Sequence, residues 1–259
     1  TANLAIALRN MGYTTGILDA DIYGPSQPKM FGIEGYVPDA VQKDGNDYIV
    51  PAQSMGIELM SIGFFIRPED ALMWRGAMAT NALRQLLHQT LWGKLDYLLI
   101  DMPPGTGDVP LTVFQSLPVD GIIVVTSPQD LVSMIVGKAV KMAKMMNIPV
   151  LGIVENYSYL ACPDCGKHIS VFGESHIDEV AAHYEVSVLA KLPIDPKLAE
   201  AVDAGKIEDA KLPDALSGAF CRIFSPRQQR CFCRAFLNRQ PDVLFLLCLF
   251  NFCCHLFRA

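Results

Sequence analysis

Short apolar runs alternate with longer amphipathic stretches over most of the chain. An apolar run bounded by turn residues is typical of a buried strand in a parallel sheet, whereas apolar residues three or four positions apart are typical of a helix. The apolar runs predict strands at residues 14–18, 57–62, 97–100, 121–126, 150–154 and 186–192. The amphipathic stretches predict helices at 1–10, 76–92, 129–146, 174–184 and 196–204. Strands that alternate with helices predict an α/β fold, a doubly wound and mainly parallel sheet with helices on both faces.

Residues 32–47 interrupt this alternation. The segment is rich in glycine, proline and aspartate, which predicts an irregular connection. In the helix predicted at 129–146, Met134 and Met142 lie at helical spacing, and we expect both to face the core rather than a cofactor.

Asp101 ends the apolar run at 97–100, and a Pro-Pro-Gly-Thr-Gly-Asp segment follows it at 103–108. Ligands of open α/β sheets bind just beyond the carboxyl ends of the strands. Two glycines beside a carboxylate suit a loop that approaches phosphate closely. Asp101 is therefore a candidate to hold the Mg²⁺ of a nucleotide, and the alternative is an acidic strand end that caps the next helix.

Asp19 and Asp21 follow the strand predicted at 14–18. Two carboxylates at a strand end could orient a water or complete the outer shell of a metal, or they could form a turn. Asn156 also follows a predicted strand, where its amide could hydrogen-bond the edge of a base. A turn or a helix cap is the alternative for Asn156, and spacing alone does not choose between the two.

Cys162 and Cys165 form a Cys-Pro-Asp-Cys loop, which offers two thiolates to one metal or cluster. Pro163 and Gly166 favour a turn, as in a metal knuckle, over the helix start that is usual for a redox dithiol. His168 could supply a third ligand, but no second local pair of cysteines occurs before the C-terminal segment. A symmetric dimer would complete four ligands, whereas two unligated surface cysteines are the alternative.

Composition separates the C-terminal segment from the rest of the chain. The 259 residues carry a net charge of −6 and are 51% hydrophobic, which suffices for a core and argues against nucleic acid as the main partner. Residues 217–259 contain six of the eight cysteines. They also contain six arginines and one aspartate, which give this segment a net charge of +5. The remaining −11 therefore belongs to residues 1–216.

The two ends of the chain carry expectations of their own. The apolar run from 243 to about 257 is shorter than the about 20 residues of a membrane span, so we expect a frame-shifted or mis-joined ending rather than an anchor. The chain starts at Thr1 without a methionine and contains no Gly-x-x-x-x-Gly-Lys-Ser/Thr loop. We expect the phosphate-binding loop to lie upstream of Thr1.

Six stretches together resemble the Mrp/ApbC-type iron–sulfur cluster carriers, which belong to the MinD/ParA-like branch of P-loop ATPases. The likeness runs from Thr1 to about Phe220 and departs from the family in lacking the Walker A loop and in having Ala77 where proline is usual. It divides the chain into a P-loop NTPase-like domain at 1–216 and an atypical tail at 217–259. The matching stretches are Leu18-Asp-Ala-Asp-Ile-Tyr-Gly-Pro-Ser26, Met73-Trp-Arg-Gly-Ala-Met78, Ile100-Asp-Met-Pro-Pro-Gly-Thr-Gly-Asp108, Thr126-Ser-Pro-Gln-Asp130, Glu155-Asn-Tyr-Ser-Tyr159 and Cys162-Pro-Asp-Cys-Gly166.

The resemblance implies a role for each candidate residue. Asp21 would position the attacking water, and Asp101 would be the Walker B carboxylate that serves Mg²⁺. Cys162 and Cys165 would share a [4Fe–4S] cluster with their counterparts in a homodimer. ATP would contact a further set that comprises Asp19, the switch II residues Gly105, Thr106 and Gly107, the adenine-binding Asn156, and Pro193 and Asp195 beside it.

The function implied by the resemblance is to bind iron–sulfur clusters and transfer them to apo-proteins, with ATP binding and hydrolysis coupled to transfer in the intact family. Scaffold proteins of cluster assembly would be further partners. Neither nucleic acid nor a membrane is an expected partner. The expected location is cytoplasmic, with a mitochondrial or plastid version left open. The alternatives are a MinD/ParA-like positioning ATPase, which the cysteine pair and acidic body argue against, and a zinc-knuckle interaction module.

Overall fold

The computed structural model describes residues 1–66, 77–129, 131–210, 218 and 243–251, the last range as backbone only. Residues 73–76 of the Met73–Met78 stretch therefore lie outside the described residues. Most of segment 217–259 lies outside them as well. The helices are α1 (Ala2–Asn10), α2 (Gln27–Met30), α3 (Ala77–Gln89), α4 (Asp108–Ser116), α5 (Leu131–Met145), α6 (Ile177–Tyr184) and α7 (Pro196–Asp203). The strands are β1 (Thr15–Asp19), β2 (Ala40–Lys43), β3 (Asn46–Ile49), β4 (Ala52–Ser54), β5 (Ile57–Ser61), β6 (Leu95–Met102), β7 (Gly121–Thr126), β8 (Val150–Ala161), β9 (His168–Ile169), β10 (Val188–Pro193) and β11 (Val243–Asn251).

One mostly parallel sheet organises these elements, in the order β10-β8-β7-β11-β6-β1-β5-β4. Among the strands that the structure describes, only β4 and the short β9, which pairs with β8, run antiparallel to their neighbours in this sheet. All five residues of β1 are buried, and so are seven of the eight in β6, as expected for strands covered on both faces. The predicted α/β fold with a mainly parallel sheet is confirmed.

Two expectations about local structure are wrong, the first of them in part. Residues 32–39 contain no helix or strand, as predicted for the segment 32–47, but residues 40–49 form the exposed β2–β3 hairpin. Asp44 and Gly45 form its turn, with φ of +53° and +78°, as a tight Asp-Gly hairpin turn requires. Because the hairpin is exposed to solvent, its strands do not need the run of apolar residues by which the other strands were predicted. Met134 is 55% exposed, because two helical positions rotate it by about 200° from the buried Val136, whereas Met142 faces the core as predicted.

The described part of the C-terminal segment lies at the centre of the sheet. β11 runs parallel to both neighbours, with Val243 opposite Leu95 of β6 and Asn251 opposite Val125 of β7. The pairing with β6 runs from Val243 to Phe250 and the pairing with β7 from Leu247 to Asn251, so the second half of β11 has a hydrogen-bonding neighbour on each side. Val243–Asn251 thereby joins β6 to β7 within the sheet, although the composition of segment 217–259 differs from that of the domain.

A proline in the middle of β11 tests this placement. Leu247 pairs with Leu99 on one side and Gly121 on the other, so Leu247→Pro removes a ladder hydrogen bond and inserts a ring between strands. We expect the free energy of unfolding to fall by about 3 kcal/mol in urea denaturation. Val243→Pro, at the first strand position where proline is tolerated, is the matched control and should change it far less. Equal midpoints for both variants and the parent would place this segment outside the sheet.

No helix in the described ranges combines the length and the apolar character that crossing a bilayer would require.

Candidate functional site

Carboxylates from β1 and β6 meet at the carboxyl edge of the sheet. Asp19 and Asp101 are partners in the parallel β1–β6 ladder, and the amide of Ala20 donates to the Asp101 carbonyl at 2.8 Å. Asp19, Asp21 and Asp101 are all buried. The prediction that Asp19 and Asp101 both lie at the carboxyl ends of strands is confirmed, and the structure adds that the two strands are neighbours. Three acidic side chains are therefore concentrated where ligands of such sheets bind.

Asp19 is saturated with hydrogen bonds from its own protein. Its Oδ2 accepts from the backbone N–H groups of Ser26 and Gln27 and from the Ser61 hydroxyl, each at 3.1 Å. Burial raises the pKa of Asp19 well above its ordinary value, and the charges of Asp101 and Asp21 add to this, while the Gln27 N–H and the Ser61 hydroxyl oppose it. Asp19 therefore holds the loop after β1 in place more than it presents a free carboxylate.

Asp101 is held from two elements far away in sequence. Gln27 at the start of α2 donates its Nε2–H to Asp101 Oδ2 at 2.7 Å, and the Thr1 hydroxyl before α1 donates to Oδ1. Gln27 Oε1 is buried and has no hydrogen-bond partner among the described residues. Mg²⁺ is usually bound by one or two carboxylates, with waters and phosphate oxygens completing its shell. Asp101, with the Gln27 amide oxygen, offers the oxygen ligands of such a partial site but no complete one.

Asp21 lines a pocket of about 200 Å³. Its Oδ1 accepts from the Gly24 N–H at 3.2 Å, which folds the loop after β1. The 103–108 loop also lines this pocket, through Pro103, Pro104, Gly107 and Asp108. The structure therefore brings Asp21 and part of the predicted switch II loop to one cavity, while Gly105 and Thr106 lie in the same loop outside its lining.

Asn156 and the residues at 193–195 lie on the other side of the sheet centre. Asn156 is in β8, and its Oδ1 accepts from the Tyr157 N–H at 3.0 Å. Pro193 of β10 pairs with Tyr159 of β8, and Asp195 caps α7 by accepting from Lys197 N–H at 3.0 Å. β8 is three strands from β6, about 14 Å at normal strand spacing, so Asn156 and Asp101 flank one edge without touching.

The cysteine pair lies at the tip of the β8–β9 hairpin. Ala161 pairs with His168, and the turn between them is closed by hydrogen bonds from Cys162 N–H to Lys167 O and from Gly166 N–H to Cys162 O, both 2.9 Å. Cys162 is half-buried and Cys165 exposed, and both are free thiols. Backbone N–H groups of Cys165 and Asp164 lower the pKa of Cys162, which favours the thiolate that binds metals.

His168 does not join the cysteines in a metal-binding group. Its ring stacks on Tyr159 with centroids 3.8 Å apart, and the described residues contain no cluster of three His, Cys, Asp or Glu side chains that could hold a metal. Among the side chains that the structure describes, this hairpin offers two thiols, Cys162 and Cys165, in the turn that the sequence predicted.

Sequence reasoning missed three residues that shape this edge of the sheet. Gln27 and Ser61 hold the carboxylate pair, and Glu155 is a buried carboxylate in β8 beside Asn156. Glu155 directly follows the apolar run at 150–154, as Asp101 follows the run at 97–100, and this position was a signal for Glu155. Gln27 and Ser61 carried none, because their partners are 74 and 42 residues away in the chain.

A mainly parallel α/β sheet with acidic residues at the carboxyl ends of its strands is the fold of the P-loop NTPase class, and here it carries a hairpin with two cysteines. The family model described as ParA, NUBPL iron-transfer P-loop NTPase, matches residues 1–224. This chain belongs to that family.

Relatives in bacteria and archaea carry the name iron–sulfur cluster carrier protein. The Haemophilus influenzae protein is 45% identical over 224 residues, which are 86% of this chain and 60% of that protein. The Pseudomonas fragi protein is 48% identical over 219 residues, 83% of this chain and 75% of the relative. The chain thus spans about 60% of the length of the Haemophilus relative and a similar share, 61%, of the one from Aquifex aeolicus.

Solved structures show the same fold. A nucleotide-binding protein from Archaeoglobus fulgidus in complex with ADP is 40% identical, with a TM-score of 0.70 over 83% of this chain and 82% of that one. The cell division ATPase MinD from Pyrococcus furiosus is 19% identical, with a TM-score of 0.59 over 86% of this chain and 90% of that one, and supports the fold alone.

Proposed function

We propose that this protein holds an iron–sulfur cluster between two copies of the chain and transfers it to apo-proteins. The observation that carries the proposal is the Cys162/Cys165 hairpin, which presents two free thiols at the tip of a two-stranded projection from the sheet. Relatives that are 43% to 48% identical and named iron–sulfur cluster carrier proteins support it. Recipient apo-proteins and the scaffold proteins that supply clusters are the partners this function requires.

A cubane cluster normally takes four thiolates, and one copy supplies two from the hairpin. A two-fold axis beside the hairpin tip would bring the other two from a second copy. Ile169 and Val171 are exposed on the return side of the hairpin, where such a contact would bury them. Exposed thiolates also let an acceptor cysteine reach the cluster, so binding and release use one site. The reducing cytoplasm, which we propose as its compartment, would keep these thiols free.

Nucleotide binding belongs to the same proposal. In the family, ATP binding and hydrolysis would alter the dimer. This chain, which contains no Walker A loop, would contribute Asp101 and the free oxygen of Gln27 to the Mg²⁺ site. Asp21 would orient the attacking water from the pocket wall, with Gly105, Thr106 and Gly107 near the phosphates. Asn156, Pro193 and Asp195 would take the base across the sheet edge. The fit of the oxygen ligands around Asp101 and the ADP complex of the Archaeoglobus protein support this assignment.

Anaerobic reconstitution with iron and sulfide tests the carrier function. The protein used is the full chain with the six tail cysteines replaced by alanine, so that only Cys162 and Cys165 remain. We expect visible absorption, about four irons per two chains, and a dimer only when loaded. Loading with zinc alone is the control, which gives no colour.

A colourless protein that binds one zinc per chain and never dimerises would move the function to the zinc-knuckle alternative. A protein that binds neither metal nor cluster but retains ATP would favour the positioning ATPase.

A further inference from the structure

Glu155 is a buried carboxylate that the proposed carrier function does not use. It lies in β8, is 1% exposed, and directly precedes Asn156. A buried carboxylate is costly unless hydrogen bonds compensate it, so its partners indicate what it holds in place.

Two serine hydroxyls supply those hydrogen bonds. Ser175 Oγ donates to Glu155 Oε1 at 2.8 Å, and Ser158 Oγ donates to Oε2. Ser158 belongs to the stretch of β8 that leads into the cysteine turn, whereas Ser175 lies on the return path just before α6. A single carboxylate therefore fastens both ends of segment 159–174.

Segment 159–174 contains the whole cysteine hairpin, including Cys162, Cys165 and β9. Apart from the β8–β9 pairing and the Tyr159 carbonyl, which accepts from the Ile194 N–H at 2.8 Å, the segment is largely exposed. Its own packing therefore does little to fix the position of the hairpin tip. Ser175 also accepts from the Ile177 N–H at 3.4 Å, which links the return path to the start of α6.

We propose that Glu155 is a positioning residue that clamps the Cys162/Cys165 hairpin to the carboxyl edge of the sheet. It acts through Ser158 and Ser175 and touches neither thiol. The clamp keeps the two thiolates at a constant angle to the sheet, so that a second copy meets them in register. For its effect on the cluster, this inference rests on the proposed function, but the clamp exists in the metal-free chain as well.

Hydrogen–deuterium exchange on the metal-free protein tests the clamp by itself. In Glu155→Ala and Ser175→Ala, we expect amides in 159–174 to exchange about tenfold faster, while those in β1 and β6 keep the parent rate. Glu155→Gln, whose amide can accept from one serine and donate to the other, should restore most of the protection. Ser170→Ala changes an exposed serine in the same segment and is the matched control.

Cluster retention is the second readout. After reconstitution, Glu155→Ala and Ser175→Ala should lose the cluster to a chelator several-fold faster than the parent, with Glu155→Gln near the parent rate.

Unchanged amide exchange of 159–174 in both alanine variants would overturn the clamp. It would also be overturned if exchange in β1 and β6 increased as much as exchange in 159–174. If the parent binds no cluster, the proposed function fails while the exchange result still decides the clamp. If Glu155→Ala does not fold, the half-buried Ser175 carries the test.

Discussion

Serine at either Cys162 or Cys165 should abolish iron–sulfur cluster binding and the dimer that depends on it. Each copy contributes two thiolates, so one substitution in a symmetric dimer removes two of the four ligands. A serine hydroxyl has nearly the size of a thiol but is a poor ligand for iron–sulfur clusters at neutral pH. We expect iron content and visible absorption to fall to background in each single variant, measured after anaerobic reconstitution and gel filtration.

Matched controls separate loss of a ligand from loss of the turn. Asp164→Asn keeps the backbone N–H that faces Cys162 and should load the cluster as the parent does. Cys221→Ser removes a cysteine of the C-terminal segment and should also leave iron content unchanged. Full cluster occupancy in the Cys165→Ser variant would show that another residue supplies the ligand, and equal loss in Cys221→Ser would place the cluster in the C-terminal segment.

Gly205→Ala should be among the most destabilising single substitutions outside the core. Gly205 follows α7 with φ of +67°, and an added Cβ would lie 2.7 Å from the Cα of Gly32 and 3.2 Å from Lys29 O. Those atoms are backbone, so neither can rotate away. Left-handed strain and overpacking together should lower the free energy of unfolding by about 4 kcal/mol in urea denaturation.

Gly45→Ala provides the control, because Gly45 has φ of +78° but nothing within 4 Å of its added Cβ. Gly45→Ala should lower the free energy of unfolding by about 1 kcal/mol, because it introduces backbone strain and no steric overlap. Equal losses in the two variants would mean that Gly32 and Gly205 are not in contact. The contact matters for the site because Gly32 follows α2, whose first residue, Gln27, holds both Asp19 and Asp101.

Local pattern in the sequence determined most of the architecture. Continuous apolar runs predicted β1, β5, β6, β7, β8 and β10, because a strand covered on both faces must be apolar throughout. The same rule set Asp19 and Asp101 at carboxyl ends of strands, and the structure made them partners in one ladder. Proline and glycine around Cys162 and Cys165 predicted a turn, which is also present. Each of these features depends on neighbours within a few residues.

Tertiary structure alone decided which distant groups meet. Gln27 is 74 residues from Asp101 in the chain, and the whole cysteine hairpin separates Glu155 from Ser175. Neither hydrogen bond could therefore be predicted from local residue spacing. The exposed β2–β3 hairpin needs no apolar face and left no periodic signal. β11 looked like a foreign tail by composition, yet its central position depends on the free edges that β6 and β7 offer. The apolar pattern of a segment indicates whether that segment is buried. Which segments it packs against depends on how the rest of the chain folds around it.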